Sequence, residues 1–235
     1  MLACVLLTLV SPADAQPAPV LAELFTSEGC DSCPPADALL RKLDSAQPVG
    51  GAQIIVLSEH VDYWNHLGWR DPYSAPQFSR RQADYARMLE AESYTPQLVI
   101  DGREQMNGSD AKAIGAAIGR AAARPKLPVR IVEARREGAE VVVQLSIDPH
   151  PSRANVWVAV ADETARSSVN RGENAGRTLD HVAVVRTLSK AGSLNKSEKF
   201  EKTARLPVGA SAARLAVFVQ ESGGPVLGAA TASIR

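Results

Sequence analysis

Between residues 123 and 130 the chain reads "ARPKLPVR", and the spacing of its apolar residues changes there. Before these two prolines, short apolar runs alternate with stretches of helical period. After them, every apolar stretch alternates at period two. A helix and a strand bury residues at different intervals, so the break predicts two differently built regions.

Upstream, "PVLAELFT" (19–26) reads as a strand and "PPADALLRKLDSA" (34–46) as a helix. That helix carries Leu39, Leu40 and Leu43 on one face. Its leading proline stands where a missing N–H costs nothing. "AQIIVLSEH" (52–60) reads as a buried strand, residues 74–92 as a helix and "QLVID" (97–101) as a strand. Asp101-Gly102 is a hairpin turn into "REQMN", and residues 109–123 form a helix capped by Ser109 or Asp110. The predicted order is β-α-β-α-β-β-α. Downstream, about seven short strands without a helix predict a sandwich-like all-β region. The expected organisation is a signal segment over residues 1–16, an α/β domain over 17–124 and a β-sandwich domain over 125–235.

The first residues suggest export. Residues 2–10 are almost wholly apolar but too few to span a bilayer, and Ala13-Asp14-Ala15 supplies small residues for cleavage near Ala15. Removing this segment removes Cys4 and leaves Cys30 and Cys33. The expected location is periplasmic or secreted, where disulfides persist. Formal net charge is zero, so nucleic acid is not an expected partner. No later segment is apolar enough for a membrane span.

Cys30 and Cys33 stand between a predicted strand and a predicted helix, in "SEGCDSCPPAD" (27–37). A helix N-terminus favours a thiolate, and the thiolate is the form that attacks a disulfide. Cys30 is placed to attack and Cys33, about one turn on, to resolve the mixed disulfide. As a staple, a bridge closing four residues would contribute little chain-entropy stabilisation. The segment "SEHVDYWNHLGWRDPYS" (58–74) is the densest cluster of candidate side chains. His60 is the residue expected to reach the cysteines, and Tyr63, Trp64 and Trp69 form a candidate wall for a substrate peptide. The competing reading is that the tryptophans only pin the loop. Cys30, Cys33 and His60 together are also a candidate copper(I) site, although zinc would require a fourth ligand. The segment "RGENAGRTLDHVAVVR" (171–186), with His181 at the start of its strand, is a candidate for docking on the first domain or for meeting a partner.

Thr95-Pro96 immediately precedes a strand and is a candidate cis bond. With the strand–Cys-x-x-Cys–helix arrangement, it resembles the thioredoxin fold. More narrowly, "ELFTSEGCDSCPPAD", "HVDYWNHLGWRDPYS", "FSRRQADYA", "YTPQLVIDG" and "RGENAGRTLDHVAVVR" resemble a family of secreted bacterial proteins of unknown function with a thioredoxin-like domain. The resemblance implies that Thr95 and Pro96 lie beside the cysteines and hold the substrate chain. It also assigns proton exchange with the resolving cysteine to Glu23, whose spacing departs from thioredoxins by one place. Pairing with a buried arginine is the other reading of Glu23. The expected function is thiol–disulfide oxidoreduction without a cofactor beyond the Cys30–Cys33 disulfide, and with no metal. The expected partners are protein thiols or disulfides, or an upstream redox protein. The alternatives are a copper(I)-binding protein and a non-catalytic adaptor with a passive bridge.

Overall fold

The computed structural model describes residues 16–235, so the expected signal segment, except for Gln16 at its end, and Cys4 lie outside the described residues. The first seven elements follow the predicted order: β1 (Ala18–Thr26), α1 (Pro34–Ala46), β2 (Ala52–His60), α2 (Pro76–Met88), β3 (Gln97–Ile100), β4 (Glu104–Asn107) and α3 (Ala111–Ala122). Local chemistry sets their ends. Pro34 and Pro35 open α1, and Gln47 closes it in the left-handed region, donating its N–H to Leu43. The Asp110 carboxylate caps α3 by accepting the Ala113 N–H. Asp101 and Gly102 both have positive φ, at 47° and 60°, as the centre of a type I′ turn requires, and the Arg103 N–H closes that turn on the Ile100 carbonyl. Seven strands follow: β5 (Val129–Glu137), β6 (Glu140–Ile147), β7 (Ala154–Ser168), β8 (Thr178–Leu194), β9 (Phe200–Pro207), β10 (Ala212–Glu221) and β11 (Val226–Ser233).

The assembly of these elements corrects the expected fold class. A thioredoxin-like α/β domain followed by a separate β-sandwich is not what forms. The protein is mostly β, and one mixed sheet runs β11-β10-β7-β8-β2-β1-β3-β4, drawing four strands from each half of the chain. β1 and β2 are parallel in register from Ala18 opposite Ala52 to Thr26 opposite His60. β8 then joins the free edge of β2, pairing in parallel at Ser58 and Val184. A second sheet, β5-β6-β9, holds the remaining three strands. Its apolar face, with Val141, Val143 and Leu145, packs on Val156, Val158 and Val217 of the large sheet. The prediction failed because alternation reports which faces of a strand are buried. It does not report which strand lies beside it.

The pleat of β1 divides its side chains between two layers. Val20, Ala22 and Leu24 face α1 and α3, among Leu40, Leu43, Ile114 and Ile118. Leu21 and Phe25 face α2, among Phe78 and Tyr85. Among the described residues no helix is long and apolar enough to cross a membrane.

Candidate functional site

Cys30 and Cys33 are joined as a disulfide with their Cα atoms 5.4 Å apart. Both residues are fully buried, whereas Asp31 and Ser32 between them are exposed. Cys33 is the residue before α1, and its carbonyl accepts the N–H groups of Ala36 and Asp37 at 2.9 and 3.1 Å. The bridge therefore lies at the N-terminal end of the helix, as its spacing predicts.

Three segments close around it. The first is the cysteine loop itself, where Glu28 is fully buried. The Glu28 N–H donates to Asp71 Oδ2 at 2.8 Å, and its Oε2 accepts from Trp69 Nε1 at 2.8 Å. The second is the loop after β2. There His60 Nδ1 lies 2.7 Å from Asp71 Oδ2, with both side chains at 0% exposure. Burial would raise the Asp71 carboxyl, but the His60 charge and the N–H groups of Glu28 and Tyr73 hold it below its ordinary value. Asp71 thus fixes the His60 ring from one side.

The third segment comes from the second half of the chain. His181 on β8 is buried, its ring centroid 4.7 Å from that of His60. Its Nε2 is 3.3 Å from Glu28 Oε1, and its Nδ1 is 3.7 Å from Asp37 Oδ2. These are ion-pair distances without the alignment of a hydrogen bond. Burial alone would lower the His181 pKa, but Asp37 and Glu28 on either side prevail and raise it to about 9. Just before β8, Asn174 is also fully buried. Its Nδ2 donates to the carbonyls of Glu28 at 2.9 Å and Cys30 at 2.8 Å. Glu173 Oε2 accepts the Asp31 N–H at 3.3 Å.

The cluster is only partly satisfied. Glu28 Oε1, Asp37 Oδ1, His60 Nε2 and both ring nitrogens of His181 are buried without a hydrogen-bond partner. Buried polar atoms are ordinarily paired, so five orphans in one place mark an unusual site.

The other predicted residues divide. Thr95-Pro96 is cis. Pro96 lies beside the first turn of α1, since a Cβ added to Gly108 would meet both Ala36 and Pro96. Trp64 donates Nε1 to Thr95 Oγ1 at 2.7 Å, so both tryptophans of the loop are tied down by their indole nitrogens. Tyr63 and Leu67 of the same loop remain exposed, at 38% and 40%. Glu23 is not brought to the cysteines. It projects with Leu21 and Phe25 toward α2, where Oε1 accepts from Arg81 Nε at 2.6 Å and Oε2 accepts from the Tyr85 hydroxyl. The buried-arginine reading of Glu23 is the one the geometry matches. His60 is turned to Asp71, and among the described residues no three His, Cys, Asp or Glu side chains are grouped to hold a metal ion.

Sequence reasoning missed Glu28, Asp37 and Asp71. Charged residues of a loop or a first helical turn read as exposed. The available signal for Asp37 was its place between Ala36 and Leu40 on the buried face of α1.

These features define a mixed-sheet protein with a disulfide enclosed by acids and histidines from both halves of its chain. Residues 21–220 match the model of a family described as "Protein of unknown function (DUF1223)", and the chain belongs to that family. Its fold is similar to the crystal structure of protein AGR_C_4864 from Agrobacterium tumefaciens, at 32% identity and a TM-score of 0.72. That match covers 92% of this chain and 95% of the other. A sporulation control protein of Bacillus subtilis, Spo0M, matches at 7% identity and a TM-score of 0.30, over 46% of this chain and 47% of its own. No curated protein matches.

Proposed function

We propose that the protein is an exported thiol–disulfide oxidoreductase whose reactive group is Cys30–Cys33. The observation that carries this reading is the disulfide's company. Five titratable side chains, Glu28, Asp37, His60, Asp71 and His181, are buried around its loop, and four of them keep unpaired polar atoms. A passive staple needs no such surroundings, and buried titratable groups gather where protons move.

The exchange runs as follows. A partner thiolate attacks Cys30 Sγ, a new sulfur–sulfur bond forms, and the Cys30–Cys33 bond breaks. The electron pair leaves on Cys33 Sγ, which takes up a proton. A second partner thiolate attacks the partner sulfur of the mixed disulfide and releases Cys30 as a thiolate. The partner departs as a disulfide, oxidised by two electrons, and Cys30–Cys33 is reduced by two. The reverse sequence reduces a partner disulfide, with Cys30 attacking and Cys33 resolving. The helix N-terminus favours the Cys30 thiolate in either direction. His181, poised near pH 9 between Glu28 and Asp37, is the proton reservoir in place of Glu23. An oxidising compartment keeps the pair exchangeable, in keeping with the signal-like first residues.

The test is the reduction potential of Cys30–Cys33 against a glutathione series, with turnover by Cys30→Ser as control. The expected value lies between about −120 and −270 mV, the range of exchange catalysts. A value below about −300 mV, or full turnover by Cys30→Ser, overturns the proposal.

A further inference from the structure

The loop between β7 and β8 is fastened to the backbone of the cysteine loop through Asn174 and Glu173. Val169 and Arg177 close its base, the Val169 N–H donating to the Arg177 carbonyl at 2.9 Å and the Gly176 N–H to the Val169 carbonyl at 2.8 Å. From this base most of the loop is exposed, while one side chain, Asn174, is driven inward to full burial. Its amide takes the carbonyls of Glu28 and Cys30, and its own Oδ1 accepts from Arg177 Nη1 at 2.9 Å. Glu173 adds one contact to the Asp31 N–H at the rim. Beyond its base, three hydrogen bonds hold the loop to the cysteine loop.

Beside it runs the 61–70 loop. Gly172 sits so close to it that an added Cβ would come within 3.2 Å of Trp69 Cβ and 3.4 Å of the Leu67 carbonyl. On the other side, a Cβ on Gly29 would come within 3.0 Å of Trp64 Cβ. The loop thus lies between the cysteine loop and the β7–β8 loop. It presents Tyr63 and Leu67, two of only three large apolar side chains exposed among the described residues.

We propose that residues 169–177 form a latch that denies Cys30–Cys33 to small thiols and yields to a polypeptide thiol docked on Tyr63 and Leu67. The inference rests on the exchange reading above and names its substrate class. The physical reason is differential binding. A conformational equilibrium shifts only as far as a ligand's affinity for the two states differs. A small thiol has no surface with which to favour the open loop. A polypeptide that covers Tyr63 and Leu67 gains apolar contact beside the latch, and that gain offsets the bonds of Asn174.

Two measurements test it, and only the second depends on redox turnover. In the Cys33→Ser protein, Cys30 is a free thiol, and its alkylation by iodoacetamide reads access alone. Adding Asn174→Ala removes two buried hydrogen bonds and is expected to speed alkylation about tenfold or more. Glu173→Ala, an exposed change that leaves Asn174 in place, is expected to speed it about twofold. Circular dichroism confirms that each variant is folded. Equal rates in all three backgrounds overturn the latch. In the second measurement, the wild-type disulfide is offered dithiothreitol or reduced, unfolded ribonuclease. The polypeptide is expected to react faster per thiol, and Tyr63→Ser/Leu67→Ser to lower its rate about tenfold relative to the dithiothreitol rate. An unchanged ratio overturns the docking surface. Failure of the exchange reading looks different: no polypeptide is oxidised and the potential lies below about −300 mV, while Asn174→Ala still speeds alkylation. That outcome overturns the polypeptide substrate and leaves the latch standing.

Discussion

The large sheet buries charge on both of its faces, and the two clusters are built on opposite terms. On the α2 face, Arg81 bonds Glu23, Tyr85 and Gln220, with its guanidinium 4.9 Å from the centroid of the Tyr85 ring and 5.0 Å from that of Phe218. Nearly every donor of the arginine is used. Burial and the charge of Glu23 push the neighbouring Glu59 carboxyl well above its usual range, so it holds its proton to higher pH. Toward α1, by contrast, His181 stands between two carboxylates without a single aligned bond, and five polar atoms are left over. The first cluster satisfies its cation with three partners and leaves only the Glu59 carboxyl oxygens without a hydrogen bond. The second buries two histidines among the carboxyl groups of Glu28, Asp37 and Asp71 beside the cysteine loop.

Removing the cation from the first cluster gives the largest effect. Arg81→Met leaves Glu23 buried without its partner and is expected to cost about 3–5 kcal/mol in urea unfolding. A cost below about 1 kcal/mol would mean that the network is not closed in solution.

The α1-side cluster is expected to respond differently. His181→Gln costs about 2 kcal/mol near neutral pH, where the imidazolium is lost from between Glu28 and Asp37. Its pH dependence is the sharper sign. Because the folded pKa is raised from 6.5 to about 9, the contribution is fully present below about pH 6.5 and is lost as pH rises through about 9. Wild-type stability falls across that window, and His181→Gln flattens the fall. An equal fall in both proteins would move the proton elsewhere.

Trp69→Phe keeps the ring but removes the donor to Glu28 Oε2, and is expected to cost about 1 kcal/mol. The smallest effect belongs to neither face. Arg120→Ala breaks the surface pair with Glu104 and is expected to leave the urea midpoint unchanged within error.

Much of the first half was legible because its elements are set locally. The prolines at the start of α1, the carboxylate capping α3 and the Asp101-Gly102 turn each act on residues a few places away. The spacing of Cys30 and Cys33 was equally local, and so was the position of Thr95-Pro96 before β3. The insertion of β8 beside β2 was not legible. Residues 181–185 of β8 are all buried, as is Ser58 of β2 opposite Val184, and nothing in so apolar a stretch names its neighbour. The burial of Glu28, Asp37 and His181 was hidden for the same reason, since each depends on a segment more than a hundred residues away.

Sequence alone determined where the helices and strands begin, that Cys30 and Cys33 stand at a helix start, and which loop carries the aromatic side chains. These follow from periodicity, capping and turn chemistry, which act over a few residues. Tertiary structure alone decided that one sheet joins both halves, that Glu23 belongs to Arg81, and that His181 and Asn174 pack against the cysteine loop. Each of those depends on which surfaces meet when apolar faces are removed from water, a force without direction that carries no mark in the local pattern.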